Sequence, residues 1–241
     1  MRSASRGAGS LVAAGRPLLA GSARPRAGAL LAGCTVLVVV LGVLFAHQTT
    51  ADRLDRGIDA PVVNWLAGHQ TMASWLAFPG SLIPAAALSA AIAVACLLAG
   101  RLNGVVLAIT AVPTVTGLND GLLKHLVDRT YLGVLSYPSG HTAAVFGLAA
   151  TVAVLLLAAP QPAGMVSLRV LLTVAVVLLG GVVTIGVMGL RWHYFTDTVA
   201  GAAVGIGTVC GLAFVLDLPV VARLLARASR LWPTAQPEAS V

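Results

Sequence analysis

The sequence has very little charge, since only 10% of its 241 residues are Asp, Glu, Lys or Arg, whereas 58% are hydrophobic. Soluble domains normally carry about 25% charged residues, so this composition excludes an ordinary soluble domain and predicts a protein of the lipid bilayer. Aromatic residues are also few, at 5%. Because no basic run is interleaved with aromatic residues, the net charge of +7 does not indicate a nucleic-acid partner.

Cysteine is scarce as well. The three cysteines, Cys34, Cys96 and Cys210, all lie within apolar runs, and no pair has the C-x-x-C spacing. An odd number of unclustered cysteines predicts neither a disulfide framework nor a zinc site. We interpret all three as small residues in the core of the membrane domain.

Six long apolar runs follow one another along the chain, each close to the roughly 20 residues that a helix needs to span a bilayer. None of them alternates apolar with polar residues, which argues against the strands of a membrane barrel. The sequence therefore predicts an all-α membrane protein, with a bundle of six transmembrane helices in a single domain over 28–218. The predicted spans are 28–46, 76–98, 102–120, 142–159, 170–190 and 198–218.

The distribution of Lys and Arg predicts the orientation of this bundle. Ten of the 15 lie on the side that holds both termini, and five lie on the other side. Because cytoplasmic loops retain more positive charge, both termini are predicted to be cytoplasmic in a multi-pass protein of the plasma membrane. Residues 1–27 are predicted to form a disordered basic cytoplasmic tail, and residues 219–241 a cytoplasmic C-terminal tail.

Three segments place polar side chains at the extracytoplasmic ends of the spans: LKHLVDRT, YPSGHTA and LRWHYFTD. Each segment alone has an ordinary explanation. Lys124 and Arg129 are typical of basic residues that extend toward lipid headgroups, and Ser139 is typical of a helix cap. Together, however, the segments bring cations, two histidines, an acid and a free helix N-terminus to one side of the bilayer.

One chemistry accounts for the whole set. Phosphoryl transfer is catalysed mainly by positioning and by stabilising negative charge on the phosphate oxygens. A neutral His193 is predicted to attack phosphorus while Asp197 orients its ring, and His141 is predicted to act as general acid and base. The residues predicted to bind phosphate are Lys124, Arg129, Ser139, Gly140 and Arg191.

The motif PSGH at 138–141, followed by His193 and Asp197, resembles the integral-membrane type 2 phosphatidate phosphatases of the acid phosphatase and vanadium haloperoxidase superfamily. The resemblance covers roughly residues 76–218. It implies a phosphohistidine intermediate, no metal and no other cofactor. It also implies a lipid phosphate or pyrophosphate as substrate, acted on among membrane lipids.

Two motifs depart from the family pattern. The first family motif has lysine and arginine seven residues apart with proline following, whereas Lys124 and Arg129 are five apart and Thr130 follows. The third motif has an arginine six residues before the histidine, where this chain has Val187. Arg191 is predicted to replace that arginine.

The sequence thus predicts a metal-independent membrane phosphatase that acts on a polyprenyl lipid, such as undecaprenyl diphosphate of cell-envelope synthesis, or on a phosphatidate-type lipid. One alternative is a lipid phosphotransferase of the same fold, in which an acceptor hydroxyl replaces water. Another alternative is a non-catalytic transporter or binding partner for anionic headgroups. Release of inorganic phosphate separates the three, because only the phosphatase frees it stoichiometrically.

Overall fold

The computed structural model describes residues 17–19, 21–157 and 166–231 of the chain. Nearly all of the regular structure is helical, with one short antiparallel hairpin in which Thr130 pairs with Leu135. A 3₁₀ turn at Phe78–Gly80 and a π-helical turn at Asn119–Leu123 interrupt the long helices. In chain order the elements are α1 (Arg24–Phe45), α2 (Arg53–Trp65), α3 (Gln70–Ala77), α4 (Leu82–Leu98), α5 (Leu102–Leu118), α6 (Lys124–Val127), β1 (Thr130–Tyr131), β2 (Val134–Leu135), α7 (Gly140–Leu157), α8 (Val166–Gly189), α9 (Phe195–Leu216) and α10 (Pro219–Leu231).

Five helical stretches within the described residues are long and apolar enough to cross a membrane. The prediction of an all-α membrane protein is therefore confirmed. The predicted span 142–159 corresponds to α7, which is apolar but shorter than the other five, so the count of six spans and the cytoplasmic termini stay predictions. The five stretches are Arg24–Phe45, Gln70–Leu98, Leu102–Val127, Arg169–Gly189 and Phe195–Leu216.

Regular structure extends into both predicted tails. Helix α1 begins at Arg24, inside the predicted tail 1–27, and Leu18 and Leu19 are buried with their N–H groups donating to the Asp217 carboxylate. Helix α10 occupies most of the predicted C-terminal tail. The remainder of these tail predictions, at 1–16, 20 and 232–241, lies outside the described residues.

Helices α7 and α9 form the centre of the bundle, and glycine lets their backbones approach closely. A side chain at Gly201 would overlap the carbonyl oxygen of Ser139, and one at Gly205 would overlap that of Ala143. Two glycines four residues apart on one face are the usual means of close packing between membrane helices. This contact fixes the start of α7 relative to the start of α9.

Helix α2 lies outside the spans and packs at the end of the bundle where α9 begins. Its Asp55 is fully buried and accepts hydrogen bonds from the backbone N–H and the hydroxyl of Thr196. The opposite face of α2 is exposed, with Leu54 and Arg56 on the surface. Helix α2 therefore covers the polar end of the bundle and contributes acids to it.

Candidate active site

A cavity of about 770 Å³ opens at the end of the bundle where α7 and α9 begin. Five of the eight residues predicted for the site line it, namely Lys124, Gly140, His141, Arg191 and His193. The other three predicted residues, Arg129, Ser139 and Asp197, are fully buried behind its wall. Three polar residues that the sequence analysis did not select, Thr116, Asp120 and Tyr131, also line the cavity.

His193 lies in the short loop before α9, and its ring is held by a backbone group. Its Nδ1 is 2.7 Å from the carbonyl oxygen of Ser136. A carbonyl can only accept, so Nδ1 carries the proton and Nε2 has a free lone pair in the neutral ring. Burial, followed by the nearby Lys124 charge, lowers the pKa of His193 to about 3. The imidazole is therefore neutral near pH 7, as a nucleophile requires.

His141 lies in the first turn of α7 and lines the same cavity as His193. Its Nε2 is 3.4 Å from the Ser81 hydroxyl oxygen, and its ring packs against Trp192 with 5.3 Å between ring centroids. The two histidines thus come to one cavity from different elements, His141 from the first turn of α7 and His193 from the loop before α9. That placement is the one a nucleophile and a separate acid and base need.

Asp197 does not hold the ring of His193 in the way the sequence analysis predicted. One carboxylate oxygen accepts from the Arg129 guanidinium at 2.7 Å, and the other accepts from the Tyr194 N–H at 2.9 Å. The four-residue spacing places two side chains on one face only within a helix, and α9 begins at Phe195, after His193. Asp197 caps the start of its own helix, and the carbonyl of Ser136 takes the predicted orienting role.

Arg129 points into the protein, away from the cavity, so the structure does not place it as a phosphate ligand. Its side chain is fully buried, and its two terminal nitrogens bind Asp55 at 2.5 Å and Asp197 at 2.7 Å. The guanidinium carbon lies 4.2 Å from the ring centroid of Phe45 and 4.3 Å from that of Tyr194. Two carboxylates and two aromatic rings therefore enclose this cation.

Tyr131 occupies the position seven residues after Lys124, where the family motif has its arginine. It lines the cavity, and its ring meets that of Tyr194 edge to face at 4.3 Å. Burial raises the pKa of the Tyr131 phenol, so the hydroxyl is neutral and able to donate a hydrogen bond to a phosphate oxygen. The family spacing was the signal for this residue, and the nearby Arg129 obscured it.

Ser139 serves as the cap of α7. Its hydroxyl is 3.1 Å from that of Thr142 and accepts from the Thr142 N–H at 3.4 Å, while its own N–H donates to the carbonyl of Asp197 at 2.9 Å. Its hydrogen-bonding groups are thus engaged within the protein. At the start of α7 it is Gly140 that reaches the cavity, where backbone N–H groups at a helix start favour an anion.

Arg191 lines the cavity from a strained backbone position. Its φ of 58° lies in the left-handed region, which residues other than glycine rarely adopt, and such strain is typically retained at functional sites. Val187, at the position of the family arginine, is fully buried in an apolar cluster with Ala77 and Val145. Of these two positions, it is Arg191 that presents a cation to the cavity.

Asp120 introduces a negative charge among these cations. Its carboxylate is 2.9 Å from the Lys124 ammonium and 3.1 Å from the side-chain nitrogen of Asn119. Within the described parts of the chain, no group of three or more His, Cys, Asp or Glu residues is arranged to hold a metal ion. The charged residues that line the cavity are Asp120, Lys124 and Arg191, and they lie beside the two histidines.

A comparison with protein-family models finds a match to the PAP2 superfamily over residues 32–217. The match covers more than three quarters of the chain and includes every residue discussed for the cavity. It confirms the resemblance at the level of the superfamily, and the narrower type 2 phosphatidate phosphatase assignment stays a prediction. No curated protein and no solved structure matched in the corresponding comparisons.

Proposed function

Because this chain belongs to the PAP2 superfamily, we propose that it is a membrane phosphatase that hydrolyses a lipid phosphate or diphosphate at the extracytoplasmic face. The superfamily supports a hydrolase of phosphate esters. The observation that carries the proposal is that His193 and His141 face one cavity together with Lys124 and Arg191. Few other reactions need a neutral imidazole, a second histidine and two cations at one point.

The proposed reaction has two steps. In the first, Nε2 of His193 forms a bond to phosphorus, the bond from phosphorus to the leaving oxygen breaks, and His141 gives that oxygen a proton. In the second, His141 removes a proton from water as the water oxygen attacks phosphorus. The bond between phosphorus and His193 then breaks, and inorganic phosphate is released.

The other polar groups have complementary roles in this proposal. Lys124 and Arg191 neutralise the phosphoryl oxygens, whose charge builds up in the transition state. The Ser136 carbonyl keeps the proton on Nδ1 of His193, so that Nε2 remains the attacking atom. Tyr131 donates a further hydrogen bond from its neutral phenol.

A lipid substrate is supported by the apolar part of the cavity wall. This wall is made by side chains from the membrane helices α4, α5 and α7 and from the residue that directly follows α8. Burial of a hydrocarbon tail stabilises the complex by roughly 0.8 kcal/mol for each CH₂, whereas a small soluble ester has much less apolar surface to bury there. The residues concerned are Leu82, Val112, Ala144 and Leu190.

The test is release of inorganic phosphate by the purified protein in detergent, from a panel of polyprenyl diphosphate, phosphatidate and a soluble aryl phosphate, with and without EDTA. We expect release from a lipid substrate, little from the soluble ester, and no loss with EDTA. Transfer of the phosphoryl group to an added alcohol, without free phosphate, would instead favour the phosphotransferase. Binding with no product at all would favour a headgroup-binding protein.

The proposed membrane face has its own test. Leu132 lies at the exposed tip of the hairpin beside the cavity, and a cysteine introduced there, in a variant that lacks Cys34, Cys96 and Cys210, is placed to react with a membrane-impermeant thiol reagent. We expect labelling in intact cells if the cavity opens outside. Labelling only after the cells are broken would put the cavity on the cytoplasmic side.

A further inference from the structure

The carboxylate of Asp120 lies at the end of the cavity where phosphate is proposed to bind. A Cβ atom built on Gly140 would lie 3.2 and 3.4 Å from its two oxygens, so the carboxylate is in contact with the start of α7. Its Oδ1 is 2.9 Å from Nζ of Lys124. One anion of the protein itself therefore pairs with Lys124 and lies against the start of α7, at two of the groups proposed to bind the substrate phosphate.

A π-helical turn and a hydrogen bond from Asn119 hold Asp120 in this position. It belongs to the π-helical turn Asn119–Leu123, and such turns occur frequently at functional sites. Asn119 is fully buried, and its side-chain nitrogen donates both to Asp120 at 3.1 Å and to the carbonyl of Pro138 at 3.1 Å. This amide ties the π turn to the residues just before α7, so that Asp120 is aimed at the cavity.

The Asp120 side chain still reaches solvent in the cavity, with 43% of its surface exposed, whereas Lys124 is 21% exposed. The charge of Asp120 also acts on His193, where it raises the pKa against the larger opposite effects of burial and Lys124. The carboxylate is thus near enough to act electrostatically on a phosphate, and exposed enough to rotate away from one.

We propose that Asp120 is an internal competitor for phosphate, which holds Lys124 in the empty site, yields it to the substrate and drives inorganic phosphate out after hydrolysis. This inference rests on the proposed phosphatase function. A carboxylate beside the site weakens the binding of every phosphate anion. The buried tail of a lipid substrate compensates for this weaker binding. Inorganic phosphate has no tail, so the loss of affinity mainly affects the product.

The simpler alternative is that Asp120 only forms a helical ion pair with Lys124 at i, i+4, and such pairs contribute little. The two explanations predict different changes in phosphate affinity when Asp120 is removed. If Asp120 merely positions Lys124, its removal loosens phosphate binding or leaves it unchanged. If Asp120 competes with phosphate, its removal tightens phosphate binding.

The experiment compares wild type with Asp120→Asn, which keeps the shape of the side chain and removes its charge. The measured quantity is the inhibition constant of inorganic phosphate against lipid hydrolysis. We expect it to fall about tenfold, with a lower KM and a lower kcat as product release slows. The difference should shrink at high ionic strength, because the cavity is open to salt.

Asp128→Asn is the matched control, because this exposed acid pairs with His47 and lies outside the cavity. Its inhibition constant should equal that of the wild type. If Asp120→Asn folds poorly, as judged by its melting temperature, Asp120→Ser removes the same charge with a smaller polar group and is measured in the same way.

An inhibition constant that stays the same or rises in the folded Asp120 variants overturns the competitor role. Failure of the proposed function gives a different result, because wild type then releases no phosphate from any lipid phosphate, whether or not it binds radiolabelled inorganic phosphate. In that case both proposals fall together. Hydrolysis by wild type with no tightening in the variants removes only the role of Asp120.

Discussion

Arg129 and Asp197 form an ion pair 2.7 Å long in which neither side chain is exposed to solvent. Asp55 binds the same guanidinium from α2, so one cation joins the covering helix to the start of α9. A buried charge that loses its partner is left uncompensated, and this costs far more than the intact pair contributes. The pair therefore connects the stability of the bundle end with the position of the loop that carries His193.

Replacing Arg129 with alanine should lower the stability of the folded protein by about 3–5 kcal/mol, because Asp55 and Asp197 would then be buried without a cation. The melting temperature in detergent measures this effect. Arg56→Ala, which removes an exposed arginine next to Asp55 in helix α2, is the control and should change little. Normal stability combined with a raised KM in Arg129→Ala would return Arg129 to the list of phosphate ligands.

Replacing His193 with alanine should reduce phosphate release by at least about 10³-fold, because the proposed attacking atom is removed. The variant should also fail to form an acid-labile phosphoprotein when mixed rapidly with labelled substrate. His69→Ala changes an exposed histidine outside the cavity and should keep full activity. Trapping of the same phosphoprotein in His193→Ala would assign the nucleophile to another residue.

Tyr131→Phe should lower kcat/KM by about 10- to 100-fold, since a hydrogen bond to a charged oxygen contributes roughly 1.5–3 kcal/mol. Tyr137→Phe is the matched control, because the Tyr137 hydroxyl donates to the carbonyl of Val38, away from the cavity. That variant should lose some stability and keep its kcat/KM. Equal kinetics for Tyr131→Phe and wild type would show that the phenol does not touch the phosphate.

Arg191→Ala should depress turnover strongly, and Arg191→Lys should restore only part of it, because an ammonium lacks the planar fork that fits two phosphate oxygens. Both variants keep a side chain at the strained φ of 58°, so a difference between them reports on the cation alone. Melting temperatures establish that both are folded. A lysine variant with wild-type activity would indicate that Arg191 contacts lipid headgroups and not the substrate.

The pKa of His193, at about 3 in the folded protein, lies below the value of about 6.5 in an unfolded chain. Between these values the unfolded chain binds the proton and the folded protein does not, so folding stability should fall as the pH drops below 6.5. His193→Asn should remove this loss, because its amide has no proton to gain. Melting temperatures of the two proteins between pH 8 and pH 5 test the difference.

The titration of Asp59 should change folding stability in the opposite direction to that of His193. Burial, followed by the charge of Asp55, raises its pKa to about 7, so the folded protein holds a proton that the unfolded chain releases above about pH 4. Its contribution to stability is present below pH 4 and is lost as the pH rises toward 7. Asp59→Asn should therefore flatten the pH dependence over this range, and an unchanged melting profile would contradict the raised pKa.

The membrane helices were predictable because each needs a long apolar run, and local composition records such runs directly. The PSGH motif and the spacing to His193 likewise placed both histidines at one end of the bundle. These features depend on residues that are close in sequence, or on alternation of the chain across the bilayer. They can therefore be predicted without knowing which distant residues come into contact.

The contacts of the polar residues were harder to predict. The partner of His193 is a backbone carbonyl, at Ser136, and a carbonyl has no signature in the sequence. Arg129 is neutralised by Asp55, which lies 74 residues earlier, so its burial depends on tertiary packing alone. Tyr131 has the spacing of the family arginine but not its residue type, whereas Arg129 has the residue type but not the spacing, so the sequence alone favoured the wrong one of the two.

The ion pairs around Arg129 also impose an order on biosynthesis. A ribosome makes Asp55 first and Arg129 next, so a nascent chain can form that pair long before Asp197 is added. His193 and α9 arrive at the end of the same interval, when the polar end of the bundle receives its second carboxylate. A chain that stops before α9 thus keeps the pair of Arg129 with Asp55 but lacks the Asp197 carboxylate and the Thr196 hydroxyl, which complete the enclosure of this guanidinium.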